Sequence, residues 1–230
     1  MTEIHNINDN MITHILFNPG IKCFGKDQVI NIIHSFYDTY NLPIISIGTG
    51  CGAIEYCSTK TKDINWICID KKNNPIEYPY NAKYYINKSL MNIDYNSIDE
   101  LIHINSNIIQ NCILFLNWCE PNDSVYDYEA IIKLKPRAIL SIYEVFLDSN
   151  GSAGGKQFYN WTINNDNYIT KEEYKLIPYF NKQYNDYEDD VIDIRISWFQ
   201  HINDDIDDKK IIYIDSKCSY PKLSSYCSIM

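Results

Sequence analysis

Apolar residues recur along the chain in two patterns: helical spacing in some segments and short apolar runs in others. Segments of the two kinds alternate over most of the chain. Residues 27–40 place Val29, Ile33 and Phe36 at helical spacing, which predicts an amphipathic helix. Residues 44–47 form a short, continuous, β-branched run, which is typical of a strand buried on both faces. Similar runs predict strands at 66–69, 112–116, 138–143, 191–199 and 211–214, and helical spacing predicts further helices at 53–60, 98–109 and 126–134.

Strands that alternate with helices indicate the fold class. They favour an α/β protein, a Rossmann-like three-layer sandwich with a mainly parallel seven-stranded sheet and an antiparallel last strand. Residues 84–86 give only a short candidate strand, and residues 174–180 have a mixed pattern. The length of 230 residues suits one domain, which we place at residues 1–215, followed by a C-terminal tail at residues 216–230.

The composition narrows the classes of partner. Hydrophobic residues make up 45% of the chain and charged residues 22%, a balance typical of a packed protein. The formal net charge is −10, and between Asp186 and Asp208 nine acidic residues accompany one basic residue, Arg195. Because binding to a phosphate backbone needs a basic face, extended nucleic acid is disfavoured as a partner.

No apolar run is long enough to span a bilayer and the N-terminus does not resemble a signal peptide, so we expect a cytoplasmic protein without a transmembrane segment.

The eight cysteines predict core positions, and the last of them belongs to a short motif. Several cysteines lie within apolar runs, where cysteine is usually a small core residue. No Cys-x-x-Cys pair and no Cys/His cluster at zinc-ligand spacing occurs, so we predict no metal.

The final residues Cys227-Ser228-Ile229-Met230 match the C-a-a-X signature for farnesylation of Cys227. A single lipid with no strong polybasic run upstream would give only weak membrane attachment.

A glycine-rich segment lies directly between a predicted strand and a predicted helix. It reads Ser46-Ile47-Gly48-Thr49-Gly50-Cys51-Gly52, and glycine there allows a sharp turn and the close approach of a ligand to the backbone. Eighteen residues after Gly52, Asp70 ends the second predicted strand, where a carboxylate can accept both hydroxyl hydrogens of a ribose. Together the loop and the acid predict a site for an adenosine-type ligand.

This pattern resembles that of the class I S-adenosylmethionine-dependent methyltransferases. The first motif of that family is an acidic residue, any residue, then Gly-x-Gly-x-Gly, with an acid at the end of the second strand. This chain departs from it at Ser46, which stands where the family usually has Asp or Glu. The resemblance implies S-adenosyl-L-methionine as cofactor and methyl transfer to a small molecule or a protein side chain. The implied cofactor-binding residues are Ser46, Gly48, Thr49, Gly50, Gly52, Asp70 and Asn117.

Two further residues are candidate catalytic groups. Asn117 follows the predicted strand at 112–116, at the position of the family's Asn/Asp-Pro-Pro-aromatic motif, where its side chain would position an amine or hydroxyl and Trp118 would supply an aromatic wall. Glu144 ends the next strand and precedes Gly151-Ser152-Ala153-Gly154-Gly155, a pattern similar to one in a poorly characterised branch of the family in which Phe158 would be the downstream aromatic. A carboxylate there would serve as a general base. The alternative roles are structural: Asn117 as a strand-end cap and Glu144 as a hydrogen-bond partner of the glycine loop.

Two other functions fit part of the pattern. Gly48, Gly50 and Ala53 also match the dinucleotide pattern Gly-x-Gly-x-x-Gly/Ala, which leaves an NAD-dependent oxidoreductase open. The helix that precedes the first strand is more typical of methyltransferases. Ser46 and the irregular segment after residue 117 leave open a non-catalytic domain of the same fold that acts as a binding partner or scaffold.

Overall fold

A computed structural model describes residues 2–3, 21, 24–70, 76–77, 84–86, 90–117, 126–145, 156–176, 193–203 and 210–214. The strands within these ranges are β1 (Thr2–Glu3), β2 (Ile44–Ile47), β3 (Trp66–Ile69), β4 (Ile76–Glu77), β5 (Tyr84–Ile86), β6 (Ile113–Asn117), β7 (Ala138–Val145), β8 (Tyr168–Leu176), β9 (Asp193–His201) and β10 (Lys210–Ile214). The helices are α1 (Lys26–Tyr40), α2 (Ala53–Thr59), α3 (Ile98–Ile104), α4 (Tyr126–Leu134) and α5 (Lys156–Asn164), with a 3-10 turn at Ser106–Ile108.

The main sheet has seven strands in the order β10-β8-β9-β7-β6-β2-β3. Strands β3, β2, β6 and β7 are parallel to one another, and β10 is parallel to β8, whereas β9 is antiparallel to both β7 and β8. The predicted α/β class and the mainly parallel seven-stranded sheet are therefore confirmed. The predicted antiparallel last strand is wrong: the chain reverses before β9 and again after it, so β9 is the antiparallel strand and the last strand, β10, is parallel to β8.

Strand β8 and helix α5 were not predicted, and β8 shows why a buried strand can escape detection. Its sequence includes Lys171, Glu172, Glu173 and Lys175, and its pairing with β9 is irregular between Thr170 and Glu172, which breaks the alternation of polar and apolar residues. The predicted short strand at residues 84–86 exists as β5. It pairs with β1 and β4 in a separate three-stranded sheet, outside the main one.

Apolar side chains form one cluster on each face of the main sheet. The first cluster joins α1 and α2 to one set of alternate strand residues, such as Ile44 and Phe115. The second joins α3, α4 and α5 to the other set, such as Ile45 and Leu116. Consecutive residues of a strand point to opposite faces, so the apolar residues within 44–47 and 113–116 supply both clusters.

Cysteine burial and helix lengths agree with the analysis of the sequence. Cys51, Cys57, Cys68 and Cys112 are buried and form no disulfide among the described residues. In the part of the chain that the structure describes, no helix combines the length and the apolar character that crossing a membrane requires.

Candidate functional site

The strand order places a topological switch point beside β2. From β2 the chain passes through α2 to β3 on one side of β2, and it later returns to β6 on the other side. In open α/β sheets, ligands bind outside the carboxyl ends of the strands at such a point. The glycine loop that follows β2 lies there, as the sequence predicted for an adenosine-type site.

The structure brings three predicted site residues to one edge of the sheet. Ile47 pairs with Ile69 of β3 and with Leu116 of β6. The next residue along each strand is Gly48, Asp70 or Asn117, so these three lie at the carboxyl end of adjacent parallel strands. They form one row across the switch point.

Glu144, the second of the two predicted catalytic residues, lies on strand β7, which is next to β6. Asn117 pairs with Ile142, which places Glu144 two residues further along β7 than the row of Gly48, Asp70 and Asn117. The backbone of Glu144 pairs with Ile194 of β9. The contacts of its side chain fall outside the described part of the structure, so its proposed roles stay predictions.

The three glycines of the loop have backbone conformations that disfavour other residues. Their φ angles are 64° at Gly48, 57° at Gly50 and 65° at Gly52, all in the left-handed region. Among the described residues, a Cβ atom on Gly48 would meet nothing within 4 Å, whereas one on Gly52 would lie 2.9 Å from Cβ and Cγ of Met91. The loop is thus open beside Gly48 and covered by Met91 beside Gly52.

Met91 belongs to a segment that borders the loop and the outer edge of β3. The amide of Leu90 donates to the carbonyl of Cys51 at 2.8 Å, and the carboxylate of Asp94 accepts from the amide of Cys68 at 2.8 Å. The amide of Asp70 donates to the carbonyl of Tyr95 at 3.2 Å. Residues 90–95 are therefore hydrogen-bonded both to the segment that precedes α2 and to the end of β3, and they hold these two parts of the chain together.

Most amides of the loop already have protein acceptors. The amides of Gly48 and Thr49 donate to the carbonyl of Ile69 at 3.0 and 3.3 Å, and the amide of Gly52 donates to the carbonyl of Thr49 at 2.9 Å. The amide of Gly50 donates to Oδ2 of Asp70 at 2.5 Å. A loop that cradles phosphate presents its amides to the ligand, and these four amides are directed to the protein instead.

Asp70 connects the two halves of the predicted site. Its hydrogen bond to Gly50 joins the end of β3 to the loop after β2, and the side chain is only partly buried. The carboxylate therefore lies beside the glycine loop, where the sequence predicted it. Part of its hydrogen-bonding capacity stabilises the loop itself.

Beneath the loop lies a buried carboxylate that the sequence analysis did not identify. The hydroxyl of Ser46 donates to Oε1 of Glu55, on α2, at 2.6 Å, and both residues are 1% exposed. The carbonyl of Ser46 accepts from the hydroxyl of Thr49 at 3.2 Å. A signal for Glu55 was present in the sequence, because it is the single acid in a helix whose residues Ala53, Ile54 and Cys57 are apolar.

Burial changes the proton affinity of this carboxylate. Burial raises the pKa of Glu55 from 4.5 to about 7; the hydrogen bond from Ser46 opposes this rise, and the negative charge of Asp70 adds to it. Burial, and secondarily the charge of Glu55, also raises the pKa of the neighbouring Cys68 thiol well above its usual range. Groups with such shifts concentrate at functional sites.

No protein-family model and no curated protein matches this chain. The interpretation of the site therefore rests on its residues and their geometry. Within the ranges given above, no group of three or more His, Cys, Asp or Glu residues could hold a metal ion. Two surface clefts, one between α1 and α2 and one between α4 and α5, lie away from the glycine loop.

The remaining predicted residues divide into one that is described and several that are not. Phe158 is 1% exposed in α5 and packs edge-on against Tyr143 at 5.6 Å and face-on against Trp161 at 5.9 Å, which makes it a core residue. Trp118, the glycine-rich segment at 151–155 and Cys227 lie outside the described residues. The predictions made for those three stay as they were.

Proposed function

We propose that this chain binds S-adenosyl-L-methionine at the carboxyl edge of β2 and β3 and transfers its methyl group to a small molecule or a protein side chain. The fold we infer is Rossmann-like, with the cofactor at the switch point between β2 and β6. We further propose that the protein is cytoplasmic, and its net charge of −10 disfavours extended nucleic acid as substrate.

The row formed by Gly48, Asp70 and Asn117 is the observation that carries this proposal. An adenosine ligand would lie across the glycine loop with its ribose at Asp70. Gly48 is open on the side where a Cβ would stand, so the backbone can be approached closely there. These features support a ligand recognised through ribose and backbone contacts at this edge.

The direction of the loop amides favours S-adenosylmethionine over a dinucleotide. NAD needs amides and a helix N-terminus for its pyrophosphate, but the amides of Gly48, Thr49, Gly50 and Gly52 donate to protein acceptors and Met91 packs against Gly52. S-adenosylmethionine carries no phosphate and makes no such demand. This difference weighs against the NAD-dependent oxidoreductase.

Methyl transfer would use Asn117 and Glu144 in different roles. Held by the glycine loop and Asp70, S-adenosyl-L-methionine would supply an activated methyl group to the amine, hydroxyl or thiol of the substrate, and its sulfur would leave as a neutral thioether. Asn117, at the end of β6, would hold the attacking group in line with the bond between that methyl group and the sulfur. Glu144, on β7, would accept the proton that the attacking group loses.

A calorimetric titration tests the binding. We expect the protein to bind S-adenosylhomocysteine or S-adenosylmethionine, with affinity reduced at least about tenfold by Asp70→Ala, because a charged hydrogen bond to ribose is lost. Asp94→Asn is the matched control, since Asp94 also accepts a backbone amide on β3 and Asn keeps an acceptor oxygen. Absence of binding by the folded protein, or binding of NAD instead, would contradict the proposal.

Turnover separates an enzyme from a scaffold of the same fold. Ser46, in place of an acid, is the observation that favours the non-catalytic alternative. Methyl transfer to members of a panel of amines, hydroxyls and thiols supports the enzyme. Cofactor binding without transfer to any of them supports the scaffold.

A further inference from the structure

Glu55 lies where a charged residue is costly. It is in the first turn of α2, a helix that also buries Ala53, Ile54, Cys57 and Ser58, so the carboxylate does not belong to a solvated helix face. Its exposed fraction is 1%. A buried carboxylate is retained only when its surroundings compensate for the loss of water.

The groups that face Glu55 in the described part of the structure provide no positive charge. Ser46 approaches from β2 and Cys68 from β3, while Asp70 at the end of β3 adds a second negative charge. One turn further along α2, the carbonyl of Ser58 contacts His34 of α1 at 3.0 Å. Among the described residues, no Lys, Arg or His forms an ion pair with Glu55. In its ionised form, Glu55 therefore accepts a hydrogen bond from the Ser46 hydroxyl, but no cation among the described residues pairs with it.

The proposed ligand carries the cation that this arrangement lacks. With its ribose at Asp70 of β3, S-adenosylmethionine would cross the glycine loop so that its amino-acid end lies towards β2 and β6. That end bears an ammonium group. Open space beside Gly48, two residues after Ser46, leaves the loop accessible above the Ser46–Glu55 pair.

We propose that Glu55, acting through Ser46, is the positioning residue whose negative charge lets the glycine loop hold the ammonium at the amino-acid end of its ligand. The inference rests on the proposed function and extends it to one end of the cofactor. It also explains how a loop with Ser46 in place of an acid would retain a carboxylate, supplied by the following helix.

Pairs of ligands that differ only at the amino-acid end isolate this contribution. S-adenosylhomocysteine has the ammonium, whereas 5′-methylthioadenosine keeps the nucleoside and the thioether but has no amino acid. We expect Glu55→Gln to weaken binding of S-adenosylhomocysteine about tenfold or more at pH 8, and to leave methylthioadenosine within about twofold. Decarboxylated S-adenosylmethionine, which retains the ammonium, should be weakened as S-adenosylhomocysteine is.

Two variants distinguish charge from structure. The exchange Ser46→Asp with Glu55→Gln returns a carboxylate to the loop and should restore the preference for S-adenosylhomocysteine over methylthioadenosine. Ser58→Ala removes the hydrogen bond from the Ser58 hydroxyl to the carbonyl of Glu55 without changing charge, and should leave that preference intact. Circular dichroism would establish that each variant is folded.

The pH dependence provides a second readout. As Glu55 ionises between pH 6 and pH 8, affinity of the unmodified protein for S-adenosylhomocysteine should rise, and Glu55→Gln should abolish that rise. Equal weakening of both ligands by Glu55→Gln, or no weakening of either, would overturn the inference while leaving the proposed function standing. If the folded protein binds neither ligand, both proposals fail.

Discussion

The glycines of the loop after β2 share a backbone conformation but differ in how closely other residues pack beside them. Gly48 and Gly52 share a left-handed backbone, with φ near 64° and 65°, but of these two glycines only Gly52 packs against another residue in the described part of the chain, namely Met91. Below the loop, the small side chain of Ser46 donates a hydrogen bond to Glu55. Single residues thus determine both the shape of the loop and the charge beneath it.

Glu55 should make the stability of the protein depend on pH. Its pKa in the folded protein is about 7, above the ordinary value of 4.5, so between these values the folded protein binds a proton that the unfolded chain has released. The contribution of Glu55 to stability is therefore present at low pH and is lost as pH rises through about 7. Glu55→Gln cannot ionise, and we expect it to be more stable than the unmodified protein at pH 8, by on the order of 3 kcal/mol, but not at pH 4.5.

Urea unfolding at the two pH values measures this difference. Glu129→Gln on α4 is the control, because Glu129 lies in an exposed ion pair with Lys133 and its replacement should have a similar small effect at both pH values. A Glu55→Gln variant whose stability relative to the unmodified protein is the same at pH 4.5 and pH 8 would contradict the assignment.

At the scale of the elements, the sequence was informative where strands are apolar throughout. Apolar residues dominate strands β2, β3 and β6, and the carboxyl ends of these strands predicted that Gly48, Asp70 and Asn117 would lie together. Strand β8 escaped detection because Glu173, although 5% exposed, is balanced by Arg195 from β9, a partner that only the fold brings near. Glu55 was missed for a similar reason, since its bond to Ser46 depends on how α2 packs against β2.

The ion pairs of Glu173 should stabilise the junction between β8 and β9. Glu173 contacts Lys175 and Arg195, each at 3.2 Å, and its side chain is far more buried than theirs. Replacing both cations by glutamine leaves the buried carboxylate without those two charges, which we expect to cost about 2–3 kcal/mol of unfolding free energy. Glu173→Gln leaves two cations that can reach water and should cost no more than about 1 kcal/mol.

Urea unfolding at pH 7 compares the two variants. Lys133→Gln serves as the exposed control, because Lys133 pairs with Asp99 and Glu129 at the surface and should change stability by about 0.5 kcal/mol or less. If Glu173→Gln were the more damaging of the two changes, the buried carboxylate would be stabilising the junction by something other than these cations.

At the scale of the molecule, the two apolar clusters share the same strands. Within β6, Phe115 belongs to the cluster with α1 and α2, and Leu116 belongs to the cluster with α3, α4 and α5. A mutation that removes packing on one face of the sheet therefore also loosens the strands against which the helices of the other face pack. This coupling favours a single cooperative unit over two layers that unfold separately.

Cavities on opposite faces should consequently weaken one common transition. Phe36 and Leu134 are both 0% exposed, in the first and second cluster respectively. We expect Phe36→Ala to cost about 3–5 kcal/mol and Leu134→Ala about 2–5 kcal/mol of unfolding free energy, with one transition in each variant and an unchanged dependence on urea concentration. Far-UV circular dichroism and tryptophan fluorescence should coincide, because Trp198 reports the first cluster and Trp161 packs against the second. Ile132→Ala, at a position 49% exposed and two residues from Leu134, should change stability by about 0.5 kcal/mol or less. A second transition in either cavity variant would mean that the faces unfold independently, because the shared strands would then have kept their structure after one cluster was lost.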